Sequence, residues 1–314
     1  MRRLRRGGRF VRLFGRIALA LVFAASIAAC SAPAASTPSA SESPHVSVVT
    51  TTTVLADLVH EIAGDRASVT SLVPKGGDVH TFDPRPSSLR AVAGASLIVR
   101  NGLGLDDWVA GMVTNTGTKA PVVAAGEDLP GVTYLRSASG TVNPHVWMNV
   151  ANTTKMVAKI ADALAAADPA GAQAYADGAK AYQANLGALD AEIHARMATI
   201  PAANRTVVSF HDAFPYFADA YGLTIDGTII AAPGQDPSAG SMADLVQAIR
   251  RDHVKAVFAE AQFNDELART IAAETGAEVV NGLYDDTLGD APLDSYLAIM
   301  RSNVDRVVGA LGGG

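Results

Sequence analysis

Residues 151 to 199 contain no strand signal, yet on either side of them short Val- and Ile-rich runs alternate with segments of helical period. That arrangement constrains the fold more than any other feature. Upstream, "VSVVTT" precedes a helix predicted over 54–63, and "SLIVRN" follows one over 86–93. Downstream, "TVVSF" leads into a helix over 213–221 and "KAVFAE" into one over 264–274. Strands alternating with helices build parallel sheets from βαβ units, because a parallel partner needs a crossover long enough to hold a helix. The expected fold class is α/β, with two parallel-sheet lobes joined by one long rigid connecting helix. The connector is interrupted only by "DPAG" at 168–171, where Asp168 is expected to cap and Pro169 to begin a new helix. Its second segment, about 170–199, would run roughly 45 Å at 1.5 Å per residue. A helix makes a stiffer hinge than a loop, so limited closure is expected rather than wide opening.

The first 29 residues carry seven arginines, no acid, and then the apolar run "IALALVFAASIAAC". This is the pattern of an export signal, its apolar core being shorter than the about 20 residues of a spanning helix. The small residues before Cys30, the sole cysteine, resemble a bacterial lipobox. The resemblance implies cleavage before Cys30 and lipidation of its sulfur, which would anchor the mature chain to the outer face of the cytoplasmic membrane. Residues 30–45, mostly Ser, Ala and Pro, read as a flexible tether. The expected partition is then a first lobe over 46–150, a helical connector over 151–199 and a second lobe over 200–314. Beyond Cys30 no thiol remains for a disulfide or a thiolate metal site. Removing the leader arginines leaves 18 basic residues against 31 acidic ones, a net charge of −13, which argues against a nucleic-acid partner. Nothing in the composition demands more than a monomer.

The seven histidines sit in unequal surroundings. His45 falls in the tether, and His60, His194 and His253 lie in or beside predicted helices among charged neighbours, where a solvated surface imidazole is the plain reading. Asp190 and His194, four apart on a helix, have no third ligand nearby in sequence. The other three occupy junctions next to strands or helix starts: His80 in "GGDVHTFDPRP", His145 in "NPHVWMN" and His211 in "VVSFHDAFPYF". Open α/β sheets bind ligands beyond the carboxyl ends of their strands, where such junctions lie. Three imidazoles there suggest one convergent site for a metal ion, against the alternative that each ring is satisfied by backbone hydrogen bonds and packs on Phe82, Trp147 or Phe210. A tetrahedral site needs a fourth ligand. "NGLYDDTLGD" offers Asp285, Asp286 and Asp290 in a flexible junction, and Glu260, ending the strand in "VFAEAQF", competes with them.

These segments resemble the substrate-binding lipoproteins of zinc and manganese ABC importers, the cluster A-I class with a rigid connecting helix. "GGDVHTFDPRPSSLRAVAGASLIVRNG" is similar to that family's first ligand segment, "NPHVWMN" to its second, "VVSFHDAFPYFADAYGL" to its third, and "LYDDTLGD" with the following helix to its fourth. The resemblance runs in order from about 46 to 311. It implies metal ligands His80, His145, His211 and Asp286, the last rather than Asp285. It also implies Zn²⁺ as cargo, since His rather than Glu stands at the third position, with Mn²⁺ as the alternative. Partners would be a membrane permease and a separate ATPase, the chain itself having no G-x-x-x-x-G-K-[ST] phosphate loop, and a metallochaperone would be compatible as the source of the ion. Two departures stand out: Val79 replaces a common Pro before His80, and "GEDLPGVTYLRSASGTVNP" lacks the His- and acid-rich loop of many zinc binders, which leaves room for manganese.

Three other functions compete with this one. A zinc hydrolase would keep one coordination position open for water, and there is no H-E-x-x-H, so no enzymatic activity is expected. A surface adhesin stabilised by zinc is a second reading. A receptor for an organic solute would display aromatic and polar groups around its pocket, and only Trp108 and Trp147 are present.

Overall fold

The computed structural model describes residues 46–137, 140–230 and 233–312. The leader, Cys30, the tether and His45 lie outside the described residues. Among the described residues two four-stranded sheets form, each wholly parallel. The first contains β1 (Val46–Thr50), β2 (Ala67–Ser71), β3 (Leu97–Arg100) and β4 (Val122–Ala124) in the order β2-β1-β3-β4. The second repeats the plan with β5 (Thr206–Ser209), β6 (Thr224–Thr228), β7 (Ala256–Glu260) and β8 (Glu278–Leu283), ordered β6-β5-β7-β8. In each, the chain leaves the first strand, crosses to one side and returns to the other. That reversal opens a crevice at the carboxyl ends of the central pair.

The central strands β1, β3, β5 and β7 are almost continuously buried, as expected for parallel strands covered by helices on both faces. The edge strands are another matter. Strand β2, "ASVTS", alternates exposed residues with one buried and two half-buried ones, and β6, "TIDGT", has no fully buried residue. Neither shows the apolar run by which the central strands are recognised, and with β4 they escape the sequence reading.

Helices α1 (Thr53–Ala63), α2 (Pro86–Ala93) and α3 (Trp108–Thr116) connect the first sheet. The connector comprises α4 (Val150–Ala167) and the 26-residue α5 (Ala172–Met197), about 39 Å long at 1.5 Å per residue. Its buried stripe, Tyr175, Ala179, Tyr182, Leu186, Leu189, Ile193 and Met197, steps by three or four residues along one face. The second sheet carries α6 (Pro215–Tyr221), α7 (Ala239–Arg251) and α8 (Glu266–Thr275), and the chain closes with α9 (Tyr296–Leu311). Helix α9 returns to the connector and to α1: the Tyr296 amide donates to Asp57 Oδ2, and its hydroxyl donates to the Trp147 carbonyl. One apolar cluster therefore runs unbroken from Val46 through the connector to Leu311.

Asp168 does not cap with its side chain, contrary to expectation. Its carboxylate instead accepts from Arg66 Nη2 and the Tyr175 hydroxyl, each at 2.8 Å, tying the bend between α4 and α5 to the first lobe. Pro169 opens a short 3-10 turn over Pro169–Gly171 before α5 begins. At Gly178 the connector touches α1 so closely that a Cβ would lie 2.2 Å from the Ile62 carbonyl oxygen. Gly178→Ala would gain about 1 kcal/mol of helix propensity, but overpacking costs about 1–3 kcal/mol, and a rigid backbone carbonyl at that distance decides the sign. The expected result is a lower thermal unfolding temperature than the parent chain.

Candidate metal centre

The loop that carries His80 is held locally before it meets anything distant. Asp78 accepts the His80 amide through Oδ1 and the Thr81 hydroxyl through Oδ2, forming an Asx turn. The Trp108 indole donates to the Val79 carbonyl, and Gly76, at φ 71°, donates its amide to the Thr287 hydroxyl across the crevice. His145 ends an Asn-Pro-His segment in which Asn143 Oδ1 accepts both the His145 amide and its ring Nδ1–H, each at 3.0 Å. His211 follows β5 after one residue, and its Nδ1 faces Glu260 Oε2, at the end of β7, at 3.1 Å. The loop 284–288 after β8 is pinned from three sides. Asn303 bonds both the amide and the carbonyl of Tyr284, the Trp147 indole donates to the Asp285 carbonyl, and the Leu288 amide donates to the Thr53 hydroxyl.

The result is a convergence of the crevice-facing ring nitrogens. His80 Nε2 lies 3.2 Å from Asp286 Oδ2, His145 Nε2 3.4 Å from Asp286 Oδ1, and His211 Nε2 3.3 Å from His145 Nε2 and 3.7 Å from Asp286 Oδ2. One donor atom from each of the four residues falls within 4.8 Å of every other. Ligands at 2.0–2.1 Å on the corners of a tetrahedron are about 3.3–3.4 Å apart, so the observed spacings frame a small tetrahedral ion. His145, His211 and Asp286 are buried and His80 is partly exposed. Both Asp286 oxygens are buried with no hydrogen-bond partner. A carboxylate left in that condition costs several kcal/mol unless a cation answers it.

The other candidates separate cleanly. Asp285 is buried beside the cluster, Glu260 stands behind His211, and Asp290 is exposed. His60, His194 and His253 are exposed, with His194 Nε2 3.8 Å from Asp190. A cavity of about 760 Å³ touches His80, His145 and His211 and is bounded further out by Leu103, Val142 and Ile225. Trp147, expected as a packing partner of a histidine ring, also holds the Asp285 carbonyl, whereas Asn143 and Thr287 are supports that the sequence reading misses. Asn143, two residues before a candidate ligand, carried a readable Asx-type signal, whereas Thr287 acts only through contacts made across the crevice.

The electrostatics follow from burial and neighbours. Burial pushes the His145 imidazole well below its usual range, and the nearby Asp286 offsets this only in part. For His211 burial also pulls downward, but Glu260, Asp285 and Asp286 together outweigh it and hold the ring protonated up to about 10. Asp286 stays ionised below the ordinary carboxylate range because three imidazoles surround it, despite the opposing effect of burial. Burial, and then the charges of Asp286 and Glu260, push Asp285 far upward. The ring contacts follow suit: His145 Nδ1 faces the Asn143 amide oxygen, and His211 sets Nδ1 against Glu260 Oε2 with Nε2 3.3 Å from His145 Nε2. Glu260 fixes the ring of His211 with Nε2 toward the cluster, as outer-shell partners of metal ligands do. Glu260→Ala is expected to weaken metal affinity about 10- to 100-fold, with Glu260→Gln recovering part of the loss through its amide oxygen, as read by competition against a chromophoric chelator.

Two parallel-sheet lobes, a helical connector and an imidazole–carboxylate cluster between the sheets define the class of two-lobed metal receptors of ABC importers. The chain belongs to the family described as zinc-uptake complex component A, periplasmic, which matches residues 48–310. It is a family of transport receptors, not of enzymes. The manganese-binding lipoprotein MntA of Halalkalibacterium halodurans is 32% identical over 266 residues, covering 84% of this chain and 88% of the relative. The iron ABC transporter substrate-binding lipoprotein MtsA of Streptococcus pyogenes serotype M1 is 29% identical over 290 residues, or 90% of this chain and 93% of the relative. Among solved structures, the periplasmic zinc-binding protein TroA of Treponema pallidum superposes with a TM-score of 0.79 at 27% identity, over 85% of this chain and 99% of that one.

Proposed function

We propose that the chain captures a divalent zinc ion outside the cytoplasmic membrane through His80, His145, His211 and Asp286 and passes it to the permease of an ABC importer. ATP hydrolysis belongs to a separate subunit, and the lipid on Cys30 keeps the receptor at the membrane. The observation that carries this reading is the burial of both unpartnered Asp286 oxygens against three imidazole nitrogens. Zinc is favoured because three nitrogens and one carboxylate at tetrahedral spacing suit a small borderline ion, whereas manganese takes more oxygen. The named relatives bind manganese, iron and zinc in turn, so the metal is decided by measurement. Among the described residues no helix is long and apolar enough to cross a membrane.

The test strips the purified full-length chain of metal, offers equal zinc and manganese, and counts ions per chain. One zinc per chain is the expected result. Stoichiometric manganese in its place would keep the receptor and overturn the metal, and no stoichiometric ion of either kind would overturn both.

A further inference from the structure

Asn143 lies two residues before His145 in the first lobe, Asp212 directly follows His211 in the second, and the two bond to each other across the crevice. The Asn143 amide donates from Nδ2 to the Asp212 carbonyl at 2.7 Å and to Asp212 Oδ2 at 3.1 Å. On its other side Oδ1 accepts the His145 amide and faces His145 Nδ1, each at 3.0 Å. The main chain of Asn143 is held as well. Its N–H donates to the Leu135 carbonyl at 2.8 Å, and its carbonyl accepts the hydroxyl of Tyr216, from α6 of the second lobe, at 3.0 Å. With only 2% of its surface exposed, Asn143 makes these bonds out of reach of water.

Support of His145 alone does not account for that arrangement. A carboxylate at position 143 would accept from both His145 groups, as carboxylates commonly do behind a metal-bound imidazole, but it has no hydrogen to donate. The orientation of the amide follows from partners that can each play one role: the His145 backbone N–H only donates, and the Asp212 carbonyl only accepts. The amide therefore holds a ligand of one lobe with its oxygen and the neighbour of a ligand of the other lobe with its nitrogen. None of these bonds uses the Nε2 atoms that face the cluster, so they join the lobes whether or not an ion is bound. Buried hydrogen bonds of this kind are electrostatically stronger than the same bonds in water.

We propose that Asn143 is a positioning residue that latches the crevice: its amide ties the loop of His145 to the loop of His211 through Asp212, so that the two ligands are set together and the lobes part only when this latch opens. This rests on the four-ligand reading above and adds to it what governs the rate at which the ion enters and leaves. The latch brings the His145 and His211 loops together during folding, so the ion meets a site already arranged. Entry and exit then both wait on its opening.

The experiment measures association and dissociation rates by stopped flow on the full-length chain, with zinc and manganese each offered alone and a chromophoric chelator as the reporter. Asn143→Asp is the informative variant, because it keeps an acceptor for His145, removes both donors and sets a carboxylate against the Asp212 oxygens. Association and dissociation are both expected to accelerate in it, on the order of tenfold for the loss of two buried hydrogen bonds. Rates equal to those of the parent would show that Asn143 serves His145 alone and would overturn the inference. Faster dissociation with unchanged association would overturn it too, since that is the mark of a weakened ligand. If Asn143→Asp fails to fold, Asp212→Ala removes one acceptor without touching the Asn143–His145 pair, and both rates should rise on the order of threefold, parent rates again being the contrary result. A parent chain that takes up neither ion stoichiometrically sinks the four-ligand reading and the latch with it, whereas stoichiometric uptake with parent rates in the variants sinks the latch alone.

Discussion

Asp286→Ala should lose stoichiometric metal altogether. The alanine removes the one carboxylate that, among the described residues, stands among all three imidazoles, at 3.2 Å from His80 Nε2 and 3.4 Å from His145 Nε2. Loss of an outer-shell partner typically costs about 10- to 100-fold in metal affinity, and loss of a donor itself should exceed that. The charge balance points the same way. With Asp286 gone, a divalent ion would face three neutral nitrogens in a buried cavity with no carboxylate among them. Isothermal titration of the metal-stripped chain reads the result, with parent protein as the reference. Undiminished affinity in the variant would remove Asp286 from the ligand set. The fold should survive, because the bonds that hold this loop use the backbone of Tyr284, Asp285 and Leu288 rather than the Asp286 side chain.

Metal affinity should also rise steeply with pH. In the metal-free protein His211 holds its second proton up to about 10, because Glu260, Asp285 and Asp286 surround it. An ion at Nε2 must displace that proton, so binding is a competition in which acid favours the empty site. His145 adds nothing over this range, since burial already keeps it neutral. One proton released per ion makes affinity rise about tenfold per pH unit, or about 100-fold between roughly pH 6.5 and roughly pH 8.5. The direction follows from the sign of the shift: a group held protonated above its usual range yields its proton more readily as pH climbs toward 10. Proton release measured in buffers of different ionisation enthalpy checks this independently. A flat profile would show that His211 is already neutral in the empty site, or does not bind the ion.

The parts of the fold legible in the sequence were those with a purely local cause. Central strands such as β3 and β7 are buried on both faces and so spell an unbroken apolar run, and the connector holds its apolar residues at helical spacing with no such run. Edge strands β2, β4 and β6 are partly exposed and spell no such run. Helices α3 and α7 passed unnoticed as well. In α7 the buried residues are only Leu245, Val246 and Ile249 in a polar helix.

In the site, His80, His145 and His211 were marked by their positions at junctions, a consequence of where parallel sheets leave their loops. The fourth donor was not decided by the residues alone. Asp285 and Asp286 are adjacent and chemically identical, and resemblance to a family was needed to choose between them. The structure separates their settings: Asp286 meets His80, His145 and His211, and Asp285 meets Gln262 and only the Nε2 of His211. Glu260, weighed as a ligand from its place at a strand end, lies against the Nδ1 of His211.

From its sequence alone, then, the chain determined two βαβ halves, a stiff helical join and three histidines at loop positions, because periodicity, helix-breaking residues and residue type act over a few neighbours. Only the tertiary structure decided which nitrogen of each ring faces the crevice, which of two neighbouring aspartates stands among three imidazoles, and which carboxylate oxygens remain unpaired. Those outcomes depend on contacts such as Trp147 to Asp285 and His211 to Glu260, separated by 138 and 49 residues along the chain. Burial and hydrogen bonding at that range are properties of the packed molecule, and no local pattern encodes them.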